Sequence, residues 1–140
     1  GAHRARHCRA EGVTYSDVEK FCLSLPGAKL DMPWSDTRVF KIGGKMFAVI
    51  VLDGKRPWGL WFKTSAESFE ILTRLKDIEP CPYFARACWV EMKGLKALKP
   101  DELLAYLKRA HALVAAKLSR KMRAGLGIAA PASAQRNPFL

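Results

Sequence analysis

Residues 38–52 carry the clearest pattern in the chain. Arg38-Val39-Phe40-Lys41-Ile42 is a mainly apolar run, Gly43-Gly44 interrupts it, and Met46–Leu52 follows Lys45 as an unbroken apolar run. Glycine adopts the positive φ that a tight two-residue turn requires, so the stretch predicts a β-hairpin with strands near 38–42 and 45–52. The second run is too short for an ordinary helix and rich in β-branched residues. It therefore predicts a strand at the middle of a sheet, covered on both faces.

The flanking patterns supply the cover. Val18, Phe21, Cys22 and Leu25 recur at helical spacing, with Thr14/Asp17 and Ser16/Glu19 as alternative capping pairs, so a helix is expected over 14–25, ended by Pro26-Gly27. Residues 28–37 read as a loop in which Trp34 beside Pro33 plugs a core edge. Trp58–Lys63 alternates as a third strand, with Trp58, Leu60 and Phe62 on one face and Trp61 and Lys63 on the other. Thr64 with Glu67 caps a helix to about Lys76 that turns Phe69, Leu72 and Leu75 inward. Asp77–Tyr83 reads as a loop, and Ala87–Met92 as a fourth strand. Pro100-Asp101-Glu102 suits the first turn of a last helix, whose apolar face of Leu103, Leu107, Ala110, Val114 and Leu118 carries it to about Met122 or Arg123. The order α-β-β-β-α-β-α with short connections predicts an α+β fold: an antiparallel sheet of about four or five strands with the helices on one face. One domain over 13–123 is expected, with a basic arm over 1–12 and a tail over 124–140.

Charge changes the picture more than composition does. The net charge is +11, and its placement is uneven. Arg4, Arg6 and Arg9 lie in residues 1–10, and Lys108, Arg109, Lys117, Arg120, Lys121, Arg123 and Arg136 in residues 103–140, with no acid in either stretch. The two ends thus hold ten of the eleven excess charges, a distribution suited to polyanions. Solubility alone is the bland explanation. Cys8, Cys22, Cys81 and Cys88 form no C-x-x-C pair, which disfavours a zinc site, and Cys22 falls on a buried helical stripe. Free thiols without an export signal point to a reducing cytoplasm, and no apolar run approaches a membrane span.

Pro33-Trp34, Val39–Ala48, Lys63 before a helix, Trp89-Val90 in a late strand, Asp101-Glu102-Leu103-Leu104 and His111–Leu118 follow one another in an order and spacing that resemble the MmcQ/YjbR family over roughly residues 14–122. The resemblance implies a compact α+β fold similar to the frataxin-like (CyaY-like) arrangement, bacterial and cytoplasmic proteins without known activity, and DNA binding as the suggested role. It supplies no catalytic residues.

The candidate chemistry follows the same lines. His3 and His7 lie in the arm and His111 at the edge of an apolar stripe, where a structural histidine is the plainer reading than a catalytic base. No P-loop, dinucleotide fingerprint or H-E-x-x-H motif is present, so neither catalysis nor a cofactor is expected. Iron handling of the frataxin kind would need clustered carboxylates, and the first helix offers few. Phosphate contact is the better-supported chemistry. Lys41 and Lys45 flank one hairpin tip, Lys55 and Arg56 form the next, Trp58, Trp61 and Lys63 follow on the third strand, and Arg120, Lys121 and Arg123 end the last helix. The expectation is two basic tips gripping a duplex backbone like wings, with little sequence selectivity. The competing reading is a protein-interaction module or homodimer, favoured if Trp34 or Trp61 stands exposed.

Overall fold

The computed structural model of the chain describes residues 12–33 and 36–127. Among the described residues eleven elements follow one another. They are α1 (Tyr15–Ser24), β1 (Ala28–Asp31), β2 (Thr37–Ile42), β3 (Lys45–Asp53), β4 (Arg56–Lys63), α2 (Ala66–Leu72), β5 (Ile78–Pro80), a 3-10 turn (Ala85–Ala87), β6 (Trp89–Lys93), α3 (Pro100–Ala115) and α4 (Arg120–Gly125). The strands form one antiparallel sheet in the order β1-β2-β3-β4-β6-β5. The expected α+β architecture is what the chain adopts, with six strands because two short edge strands extend the sheet.

The hairpin forms as the Gly-Gly pair requires, with Gly43 at φ 58° and Gly44 at φ 81°. Six consecutive residues of β3, Phe47–Leu52, are buried, as a strand covered on both faces must be. Strict alternation fails at one point. Phe40 pairs with Ala48 but Lys41 with Met46, which leaves Phe47 as the extra residue of a β-bulge. The bulge lets Phe47 and Ala48 both join the core beneath the helices, with Phe40, Ile50, Leu60, Phe62, Val90 and Met92. On the opposite face Val39, Val49, Cys81 and Trp89 form a smaller core flanked by Met46, Trp61 and Phe84.

A second bulge interrupts β4. Val51 pairs with Gly59 and Leu52 with Pro57, so Trp58 is the extra residue, 38% exposed at the edge of the helix-covered side rather than buried with Leu60 and Phe62.

The helices hold further corrections. Thr14 and Asp17 form the capping box of α1, and the Ser16/Glu19 alternative is not used. Ser65, one residue later than expected, caps α2, while the Thr64 hydroxyl donates to the Cys88 carbonyl at 2.6 Å. That helix ends at Leu72, so Leu75 lies outside it and is exposed. The long last helix breaks after Ala115, and α4 starts anew with Ser119 accepting from the Met122 amide. Residues 28–31 and 78–80, read as loops, are the edge strands β1 and β5. The expectation for Trp34, the first eleven residues of the arm and the tail from 128 fall outside the described residues.

The α3–α4 corner is keyed to the β2–β3 turn. A Cβ on Gly43 would lie 2.8 Å from both terminal methyls of the buried Leu118, whereas one on Gly44 would meet nothing within 4 Å. Both positions hold positive φ. Gly43→Ala is therefore expected to cost about 2 kcal/mol and Gly44→Ala about 1 kcal/mol, the difference being the displaced leucine. Urea unfolding of the pair measures it. Equal losses would mean that Leu118 yields without cost.

Candidate nucleic-acid interface

An antiparallel meander sends successive turns to opposite ends of the sheet. β3 has nine residues, so the β2–β3 and β3–β4 turns lie roughly 26 Å apart at about 3.3 Å per residue. The two basic tips are thus not neighbouring wings. Each belongs to a separate surface, and the sequence-predicted residues divide between them.

The first surface surrounds the β2–β3 turn. Lys41 and Lys29 are cross-strand neighbours, and Lys45 faces Ile42 across the turn. Lys63 ends β4 at the same end of the sheet, opposite Trp89. The α3–α4 corner adds Lys117 and, through α4, Arg120, Lys121 and Arg123, since Leu118 packs at Gly43 and Leu126 at Gly27 and Ile42. Burial first, and then the nearby Lys117 ammonium, pull the Lys63 pKa below its ordinary value. Lys63 bonds to the Ala87 carbonyl and Arg123 to the Leu118 carbonyl. Lys41 is tied to Asp31 at 2.8 Å. Among the described residues, Lys29, Lys45, Lys117, Arg120 and Lys121 make no ion pair, and all five are exposed. Lys29 and Lys117 were missed as candidates. Lys29 lies in a strand read as a loop, and Lys117 entered only the charge count of residues 103–140.

The second surface surrounds the β3–β4 turn. Lys55, Arg56 and Trp58 are exposed there, but Lys93, Lys96 and Lys99 alternate with Asp53, Asp77, Glu79, Asp101 and Glu102. Lys93 is paired with Glu79 at 2.8 Å. A cavity of about 1190 Å³ opens between the starts of α1 and α3, with Trp58 in its wall. Mixed charge gives this end no excess field for a polyanion. Trp61 belongs to neither end. It stands mid-sheet, half-buried, and its Nε1–H donates to Glu91 Oε2 at 2.8 Å.

The remaining reactive groups serve the fold. Burial, and secondarily Glu19, push the Cys22 thiol up to about 12, and burial with Glu91 does the same for Cys81. Both are thereby poor nucleophiles at neutral pH. His111 is buried, its Nε2–H donates to the Pro26 carbonyl at 2.7 Å, and its ring meets Phe47 edge-on at 5.3 Å. Burial lowers its pKa below 6.5 and outweighs the Pro26 bond, which raises it. In the unfolded chain the ring regains an ordinary value near 6.5. The neutral-ring contribution to stability is thus complete above about pH 6.5 and is lost as pH falls from there through the lower folded value. His111→Gln, which keeps a donor for Pro26, is expected to flatten the stability–pH curve in that window. Thermal melts between pH 4.5 and 7.5 decide it, and an unchanged slope would assign the pH dependence elsewhere.

A helix-backed antiparallel sheet with one end densely cationic defines the class: a small α+β domain with a basic face. The YjbR family model matches residues 23–113, and the chain belongs to the YjbR family. The fold is similar to that of a Deinococcus radiodurans protein carrying a DUF419 domain, at a TM-score of 0.74 and 23% identity, covering 91% of this chain and 98% of that one. It is also similar to a Pseudomonas syringae protein, at a TM-score of 0.57 and 18% identity over 72% of this chain and 98% of that one. At these identities the likeness carries the fold alone. A comparison with curated proteins found no match.

Proposed function

We propose that this YjbR-family protein is a non-catalytic DNA-binding protein of low sequence specificity that holds phosphates at the end of the sheet formed by the β2–β3 turn and the α3–α4 corner. The observation that carries the reading is the convergence there of Lys29, Lys45, Lys117, Arg120 and Lys121, exposed and without ion pairs among the described residues. Lys41, Lys63 and Arg123 stand behind them. Cations on a turn and a short surface helix reach backbone phosphates but read no base edges, so contacts are to the backbone. The thiols of Cys22, Cys81 and Cys88, none in a disulfide, fit a reducing cytoplasm as its setting.

The test is a fluorescence-anisotropy titration with a generic duplex and a single strand across a salt series. Contact with about five phosphates corresponds to a slope of about −4 to −5 in log K against log salt. Affinity that is flat with salt, or confined to one duplex sequence, overturns the reading. A second reading, a protein-docking module, is supported by the exposed Trp58 beside the 1190 Å³ cavity at the other end.

A further inference from the structure

The helix-free face of the sheet places aromatic rings directly beside the cations of the basic end. A cavity of about 590 Å³ opens on this face, lined by the rings of Trp61, Tyr83 and Phe84 and by the Met46 thioether. Tyr83 is 95% exposed, and Trp61 and Phe84 meet edge-to-face at 6.1 Å. The Trp61 N–H donates to Glu91, which fixes the indole and leaves its ring as what it presents to the cavity.

Strand register sets three lysines along one side of this cavity. Met46 pairs directly with Lys41, and Lys41 with Lys29, and residues paired across strands share a face. Lys63 lies two positions beyond Trp61 on β4, hence on the same face and roughly 7 Å along the strand. Its ammonium bonds to the Ala87 carbonyl, so it also anchors the loop that carries Tyr83 and Phe84. The nearby Lys117 joins this row to the α3–α4 corner. Lys41 is paired with Asp31, but an exposed pair of this kind contributes little, and the ammonium keeps further donors. The acid on the cavity wall, Asp36, precedes β2 and so lies at the end of the cavity away from the lysines.

This layout orients a ligand that is anionic at one end and flat at the other. The anion is drawn toward Lys29, Lys41 and Lys63 and away from Asp36, and the flat part meets the rings. A nucleotide within a single strand has that form. Its phosphates are charged, and its unpaired base stacks on aromatic side chains whatever the sequence, because every base has a π-face. In a duplex the bases are stacked on one another, and the backbone alone is offered to this surface.

We infer that the helix-free face is a binding surface for single-stranded nucleic acid, with an unpaired base stacked among Trp61, Tyr83 and Phe84 and the adjoining phosphates on Lys29, Lys41 and Lys63. The inference rests on the phosphate-binding reading of the basic end and adds to it the class of strand.

Anisotropy titrations of the full chain with three labelled probes of equal length provide the test: a single strand of mixed sequence, the same strand with abasic sites in place of its bases, and the duplex. The abasic strand keeps the phosphates and lacks the rings. The base-bearing strand is expected to bind roughly tenfold tighter than the abasic one, the order expected for one stacked base. Tyr83→Ala, at an exposed position that leaves the core untouched, is expected to remove most of that ratio and to leave the affinities for the abasic strand and the duplex unchanged. Lys29→Glu is expected to weaken both single strands alike. Equal, steeply salt-dependent binding of the base-bearing and abasic strands would overturn the stacking cavity and leave the basic end standing. Absence of binding to all three probes would overturn both readings. A base preference that survives Tyr83→Ala, or a loss that falls equally on the duplex and the abasic strand, would also overturn the cavity assignment.

Discussion

Reversing four charges, Lys45→Glu, Lys117→Glu, Arg120→Glu and Lys121→Glu together, is expected to lower affinity for a generic duplex by about 10²- to 10³-fold near 0.1 M salt. The salt slope should fall by about one unit per residue, to near zero or −1. All four side chains are exposed and make no ion pair among the described residues, so stability should change by little more than the ~0.5 kcal/mol typical of each surface substitution. The informative comparison is Lys55→Glu with Arg56→Glu at the other turn. Both turns are basic in sequence, and a paired-wing grip would lose as much from either. With the turns at opposite ends of β3 and carboxylates interleaved around the second, the expected change there is less than threefold. Anisotropy titrations of the two variants side by side decide it. Equal losses would spread the interface along the whole molecule.

The second large effect concerns the bulged residue of β3. Phe47→Ala is expected to destabilise the domain by about 3–5 kcal/mol. Phe47 is 0% exposed, with Phe40 at 6.5 Å and the edge-on His111 at 5.3 Å. Its removal leaves a cavity where the sheet, α3 and the α1–β1 turn meet, because His111 bonds to Pro26 on its far side. Those surroundings are fixed by backbone pairing and cannot readily collapse inward. Against the ~5–15 kcal/mol of a typical domain, the loss is a large part of the whole. Urea unfolding measures it, and a cost below about 1 kcal/mol would show that the bulge repacks. Phe47→Leu, which keeps most of the volume, should cost much less.

What could be read from the sequence divides along physical lines. The hairpin was legible because Gly43-Gly44 and the run Met46–Leu52 are both local signals and both strong. The first helix was legible from its capping box. The edge strands were not: Ala28–Asp31 sits between Pro-Gly and Pro33, and Ile78–Pro80 ends in proline, so each is strand only by virtue of the neighbour it pairs with. The bulges at Phe47 and Trp58 shift the register without changing the type of any residue, and alternation alone cannot register them. The break in the last helix was hidden because no glycine or proline lies between Ala115 and Arg120 and the apolar spacing continues to Leu118. Of the site, the basic residues were mostly found and their grouping was not. A meander alternates its turns, and that alone places Lys45 and Arg56 at opposite ends.

The borders of the sheet have a consequence for crowding. A cationic domain that coats a polyanion brings many copies shoulder to shoulder, the circumstance in which open strands stitch together into fibres. Here one border is four residues long with Lys29 and Asp31 along it, and the other is three residues long and closes with Pro80, which has no amide hydrogen to donate. Neither offers a template of useful length. Copies packed along a strand of nucleic acid would stay separate beads, and would come off one at a time.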